Sequence, residues 1–207
     1  MTERNRVTPT GAIETIDQRG LFLGNRGSIH RGHEVVRPWQ VRRWITCALT
    51  YKDWRAPLWE PDRWTPLFFW DEAVALAAGH RPCALCRHAD FVRWMDGWEA
   101  ATGERPKVDP VDRVLHDERV GPDRGKRVHR LAWSGLPSGT FALVEDTPHL
   151  VLEDRLVPWR PTAAAYGAPI ARPRTGRAIV LTPPSTVAVL AAGYEPVIHP
   201  DAANSVG

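Results

Sequence analysis

The segment Asp71 to Cys86 reads DEAVALAAGHRPCALC and contains two of the three cysteines in the chain. Its first eight residues predict a short helix. The leading acids suit the positive end of the helix dipole, and Gly79 supplies the left-handed residue that closes the helix. Pro82 keeps it from resuming. Cys83 and Cys86 follow at i and i+3, which puts both sulfurs on one side of a tight turn entering a second helix. There they can share a tetrahedral ion at about 2.3 Å per bond, and the first amides of that helix favour the thiolate form.

A chain of 207 residues, 43% hydrophobic and 25% charged, has apolar material for one substantial core or two small ones packed together. The first 20 residues, MTERNRVTPTGAIETIDQRG, lack the apolar run of a signal peptide. No window approaches the roughly 18 apolar residues of a membrane span, so the chain reads as cytoplasmic. In a reducing compartment, an odd count of three cysteines argues against a disulfide framework and for a metal, and soft thiolates select zinc. Two other readings of the CxxC stay open. It can be a pair of small buried apolar side chains, or a thioredoxin-like redox pair whose usual preceding strand is here replaced by a helix and its glycine cap. The net charge of +3 rests on arginine, since Lys52, Lys107 and Lys126 are the only lysines. Arginine suits phosphate and carboxylate recognition, although arginine-rich codon usage produces the same composition.

Along the chain, residues 1–30 form a polar N-terminal segment expected to be partly ordered at best, and residues 31–100 form the metal-binding region. Residues 101–207 form a small α+β region, which can also be one compact unit with the front half. Trp39, Trp44, Trp54, Trp59, Trp64 and Trp70 crowd the front half. There VRRWITCALTYK (41–52) predicts a strand, and Cys86–Glu99 predicts a helix with Phe91, Trp94 and Trp98 on one side. Residues 101–110 read as a linker, Val111–Glu118 as helix and 121–127 as a charged loop. GTFALV (139–144), HLVLEDRLVPW (149–159) and GRAIVLTP (176–183) read as short strands, and Ser185–Ala192 as a final helix ending at Gly193. The expected class is α+β, with a small zinc-binding front half of short helices and a β-rich back half ending in a helix. VALAAGHRPC (74–83) has a loose echo in VAVLAAGYEPV (187–197), one capping device used twice, with cysteines after the proline only in the first copy.

The run WTPLFFWDEAVALAAGHRPCALC (64–86) resembles the second half of the metal-binding domain of the Ada DNA-repair proteins: an aromatic strand, an alanine-rich helix, and an A-G-[FY]-R-P-C-x-x-C ending. The resemblance extends over residues 41–91. It implies zinc as cofactor, Cys83 and Cys86 as two ligands, Cys47 as the second cysteine of the family's upstream pair, and nucleic acid as partner. The first upstream cysteine, which is the methyl acceptor in that family, is replaced by Arg43, so methyl transfer from methylphosphotriesters is not expected here. His30, His33, His80, His88 and His199 are candidates for the fourth ligand, and a water in that place would make an open, catalytic zinc.

An open three-cysteine site supports a rival expectation, a zinc-dependent hydrolase or deaminase-like enzyme acting on a small substrate. The deaminase pattern needs a glutamate two residues after the upstream ligand, where this chain has Leu49. For a hydrolase, Asp112 and His116, at i and i+4 on a helix, are the acid–base candidates; a solvated helix with local ion pairs has the same pattern. For nucleic acid, Arg42, Arg43, Trp44 and Arg55 interleave rings and guanidinium groups, as stacking on bases and phosphate binding require. Tryptophans about a small metal site also form its hydrophobic core.

Overall fold

The computed structural model describes residues 2–162 and 164–204. The strands of the front half are β1 (Arg4–Val7), β2 (Ile13–Thr15), β3 (Phe22–Asn25), β4 (His30–Arg31), β5 (Glu34–Val35), β6 (Ile45–Cys47), β7 (Leu67–Phe69) and β8 (Arg81–Pro82), with helix α1 (Glu72–Ala77) between the last two. Helices α2 (His88–Thr102) and α3 (Val108–Arg119) follow. The back half has β9 (His129–Ala132), β10 (Phe141–Val144), β11 (Thr147–Val151), β12 (Arg155–Pro158), β13 (Ile170–Ala171) and β14 (Arg177–Val180), and closes with α3's packing partner α4 (Pro184–Ala191) and the short α5 (Asp201–Asn204). Helices and sheets are thus both present, as expected of an α+β chain. Among the described residues, no helix is long and apolar enough to cross a membrane.

The first sheet has the order β2-β1-β7-β3-β6-β8, with β1 parallel to β7, β6 parallel to β8, and the other neighbours antiparallel. The first 30 residues, expected to have little order, supply three of its six strands. Their polarity misleads because β1, Arg-Asn-Arg-Val, buries Asn5 and Val7 while Arg4 stays exposed. In the opposite direction, the strand expected over 41–52 shrinks to Ile45–Cys47. A turn precedes it, closed by Trp44 Nε1 donating to Val41 O (2.9 Å), and another follows it, with Lys52 in the left-handed region (φ 52°).

Alternation of side chains divides this sheet into two faces. Leu23, Ile45, Cys47, Phe68 and Cys83 gather on one face, against Ala56 and Trp64 of the long β6–β7 loop. Leu67, Phe69 and Trp70 turn the other way and join α1. The same cluster takes in Phe141, Leu150 and Val157 from the second sheet, so one body of buried side chains is common to both sheets.

The second sheet, β13-β12-β11-β10-β14-β9, is antiparallel throughout. The β-rich run 149–159 is the greater part of a hairpin of β11 and β12, closed by Leu152 N–H donating to Arg155 O (2.9 Å). Strand β9, which the sequence did not signal, completes the edge. Helices α2, α3 and α4 pack together through Trp94, Trp98, Leu115, Val189 and Leu190, so the expected apolar side of α2 is the buried one.

Helix α1 is buried at every residue. Asp71 caps it by accepting from Val74 N–H (2.9 Å), and also accepts from Tyr166 Oη–H (2.7 Å) and His199 N–H (3.0 Å). Glu72 accepts from Tyr194 Oη–H (2.6 Å) and Val197 N–H (3.0 Å) and pairs with Arg87 (2.8 Å). The echoed motif is the same cap in both places: Gly79 (φ 93°) donates to Leu76 O and His80 N–H to Ala75 O, just as Gly193 (φ 101°) donates to Leu190 O and Tyr194 N–H to Val189 O.

Removing Asp71 strands two buried donors and a helix cap. Asp71→Ala is therefore expected to lower the unfolding free energy by about 3 kcal/mol, and Tyr166→Phe by about 1. Urea midpoints of the two variants check this; equal losses would assign the Asp71 effect to the tyrosine bond alone.

Candidate metal centre

Cys47 ends β6, Cys83 directly follows β8, and Cys86 lies in the turn before α2. Thr46 stands opposite Pro82 in the parallel ladder, and Cys83 N–H donates to Thr46 O (2.9 Å), which brings Cys47 and Cys83 side by side. The turn then returns Cys86 to the same place. The three Sγ atoms lie within 4.8 Å of one another. Sulfurs on a tetrahedral zinc stand about 3.8 Å apart, so a small contraction suffices to enclose an ion. Cys47 and Cys83 are buried and Cys86 is half-buried.

Backbone amides are aimed at the sulfurs. Leu85 N–H donates to Cys83 Sγ (3.4 Å), and the amides of Cys86 and Ala48 donate to Cys83 and Cys86 respectively. Such bonds favour thiolate. The Cys83 thiol is lowered to about 2, first by hydrogen bonds from the Cys47 and Cys86 side chains and then by these amides working against burial. Cys47 is pushed up, because its thiol donates to Cys83 and Cys86 and because it is buried. Cys86 is raised too, although its bond with Cys47 pulls the other way. The cluster therefore holds one negative charge readily and resists further ones, and a divalent cation would relieve that resistance.

Behind the turn, Arg87 donates to Thr46 Oγ1 (3.0 Å) and pairs with Glu72 and Asp90 (2.8 Å each), tying the CxxC to β6 and α1. The sequence reading passed over this arginine, and its place next to Cys86 was the only signal.

No histidine joins the sulfur cluster among the described residues. His30 has its ring nitrogens 2.6 Å from Thr65 Oγ1 and 3.2 Å from Glu60 O. His33 is exposed beside Glu3 (3.5 Å), and the exposed His88 turns Nδ1 back to Ala84 O (3.0 Å). His199 lies on Trp70, with ring centroids 4.1 Å apart. His80 is wholly buried against Phe69 and Trp44 and accepts from Arg26 Nε (3.3 Å).

The acid–base candidates are engaged elsewhere. Both Asp112 oxygens accept from Arg81 (2.8 Å each), and His116 packs edge-on against Trp39 (4.6 Å) and beside Arg119. Of the nucleic-acid candidates, Arg42, Arg43 and Arg55 are exposed and, among the described residues, in no ion pair. Trp44 is only 5% exposed, with the guanidinium carbons of Arg26 and Arg119 each 4.1 Å from its ring, which removes it from any stacking on bases. Trp54, at 49% exposure, is the open ring of that region. A cleft of about 340 Å³ lined by Leu23, Leu49, Arg55, Ala56 and Phe68 adjoins the cysteine face. A cleft of about 510 Å³ between α2 and the end of α4 shares no residue with the cluster. Comparison with family models, with curated proteins and with solved structures finds no match to this chain.

Two buried imidazoles make acid sensitivity a property of the fold. Burial, then the charges of Arg26 and Arg119, hold His80 well below its ordinary 6.5, and burial, then Arg119 and Arg42, hold His116 at about 4. Both are depressed, so as pH falls below about 6.5 the unfolded chain takes up protons that the native state refuses, and stability drops by up to about 1.4 kcal/mol per pH unit for each histidine. Urea midpoints between pH 7.5 and 4.5 should fall accordingly, and His116→Gln should flatten the slope. An unchanged slope in that variant would exclude His116 as a contributor.

Proposed function

We propose that this chain is a zinc-binding protein in which Cys47, Cys83 and Cys86 hold one ion, and that the exposed arginines around this site contact nucleic acid. The observation that carries the reading is the convergence of three sulfurs from two strands and a turn, with backbone N–H groups directed at them. Three thiolates are a soft donor set, the kind that takes Zn²⁺ with a fourth ligand from a side chain or from solvent. Among the described residues no candidate histidine joins the sulfurs, so the fourth ligand is read as a solvent molecule.

The nucleic-acid part rests on position and charge. Arg42 and Arg43 immediately precede β6, Arg55 and Trp54 stand on the loop that follows it, and these guanidinium groups have no carboxylate partners among the described residues. Unpaired arginines beside an exposed indole fit phosphate contact with base stacking. The likeness of residues 64–86 to the closing motif of the Ada metal-binding domain agrees with this. With Arg43 in the methyl acceptor's place, the chain is read as a binder with no methyl transfer of its own.

The open fourth position also fits the rival reading, an enzyme that activates water on zinc. Neither of its two candidate bases stands at the sulfurs: Asp112 is committed to Arg81, and His116 to the Trp39–Trp44–Arg119 region.

Purified protein is expected to contain about one zinc per chain, with X-ray absorption showing three sulfur neighbours and one lighter atom, and Cys83→Ser is expected to lose the metal. Full occupancy in that variant would reject the site. Fluorescence polarisation with oligonucleotides should show binding that weakens steeply with salt, and Arg43→Ala and Arg55→Ala should each reduce the slope of log affinity against log salt by about 1. Full zinc occupancy without oligonucleotide binding at low salt would leave the metal site and remove the nucleic-acid role.

A further inference from the structure

Buried arginines in this fold are of two kinds. Arg81 is matched by Asp112, and Arg87 by Glu72 and Asp90. Arg26 and Arg119, 2% and 1% exposed, have no such match, and neither does the partly buried Lys126: among the described residues, none of the three forms an ion pair. Their contacts are neutral. Arg26 donates to His80 Nε2 (3.3 Å), Gly11 O (3.0 Å) and Pro38 O (3.4 Å). Arg119 donates to Gly79 O (2.7 Å) and Arg42 O and lies 3.4 Å from His116 Nδ1, and Lys126 Nζ donates to Ala77 O. The acid whose charge acts most on Arg119, Asp112, has both oxygens on Arg81.

These three side chains line one cavity of about 260 Å³, together with Trp39, Trp44 and Arg124 and with no carboxylate. Two buried donors of the lining residues, Arg26 Nη2 and Arg119 Nε, have no partner, and Lys126 uses one of its three donors on Ala77 O. Burial brings Arg26 down to about 9, and burial with the charges of Arg26 and Arg119 brings Lys126 down to about 7. The folded protein thus concentrates positive charge where it is expensive to hold.

We propose that this cavity is a binding site for the phosphate group of a small phosphomonoester or for inorganic phosphate, held by Arg26, Arg119 and Lys126 with Trp44 as its wall. A tetrahedral dianion presents acceptors in several directions at once, which matches unpaired donors on three separate side chains. A single carboxylate would satisfy one fork and leave the remaining charge unmatched. The volume exceeds that of a bare oxyanion and admits a short substituent, while a duplex is far too large to enter it. The site is separate from the cysteine cluster: Trp44 in its wall and His80, which holds Arg26, precede β6 and β8, whereas Cys47 and Cys83 lie at the other ends of those strands.

Isothermal titration calorimetry and thermal unfolding of the full chain, at fixed ionic strength, with inorganic phosphate, methyl phosphate, sodium chloride and a 5′-hydroxyl oligonucleotide as probes, test this. Inorganic phosphate or methyl phosphate is expected to bind one to one and raise the melting temperature, with no equal effect of chloride. Arg26→Met and Lys126→Met are each expected to weaken that binding at least tenfold, and Lys126→Met, which removes an unmatched, partly buried charge, is expected to melt no lower than the parent in phosphate-free buffer. Arg93→Ala, on the exposed side of α2, should bind phosphate as the parent does. Phosphate and methyl phosphate acting no better than chloride, unaltered binding in Lys126→Met, or a response to the oligonucleotide alone would each overturn the assignment.

Discussion

The register of three short strands places both the cysteine cluster and the buried cations. β3, β6 and β8 are four, three and two residues long, yet their pairing aligns Leu23 with Cys47 and Ile45 with Arg81. Extending the ladder one step at either end gives two rows across the sheet. One is Leu23, Cys47 and Cys83, and the other is Arg26, Trp44 and His80, whose side chains touch one another. The rows are three residues apart, about 10 Å along a strand, and an odd separation sends their side chains to opposite faces. A slip of one residue would break both rows at once, turning the sulfurs into the core and the cation-bearing row outward. The backbone bonds Arg81 N–H to Trp44 O (3.2 Å) and Cys83 N–H to Thr46 O (2.9 Å) oppose that slip.

Strands this short do not hold a register alone, and α1 supplies what they lack. Its two leading acids accept from the segment that follows α4, and Glu72 also pairs with Arg87 behind the CxxC. The C-terminal segment therefore helps to position the turn that carries Cys83 and Cys86. Desolvation raises the pKa of Asp71, while Val74 N–H, Tyr166 Oη–H and His199 N–H lower it, so those three donors are what make a carboxylate tolerable in this core.

What could be read from the sequence follows from what is local. The helix at 72–77, its glycine cap, the CxxC and the echoed cap at Gly193 each rest on interactions within six residues, and all are present in the fold. The convergence of Cys47 on the CxxC was expected from a resemblance, because the 35 residues between Cys47 and Cys83 contain no local rule that brings them together. Strands β1 to β3 went unread for a similar reason: an alternation of two or three residues within a polar run is too short to register as a period. Arg26 and Lys126 gave no signal at all, since a buried arginine and a surface one are the same letter, and only the fold shows which of them lack a carboxylate.

Gly79 shows how one readable signal can conceal a second role. As a cap it needs a positive φ, and glycine satisfies that without strain. A Cβ at this position would also stand 2.4 Å from Arg119 Cδ and 2.9 Å from Arg119 Cβ. The missing side chain is the gap through which Arg119 runs from α3 to the carbonyl of Gly79 and on to Trp44. The residue that ends α1, and so allows β8 to begin beside β6, is therefore also the residue that admits a buried cation to the far end of the same strand pair. Both rows of the sheet pass through this one turn, the sulfurs by its effect on register and the guanidinium cluster by the space it leaves open.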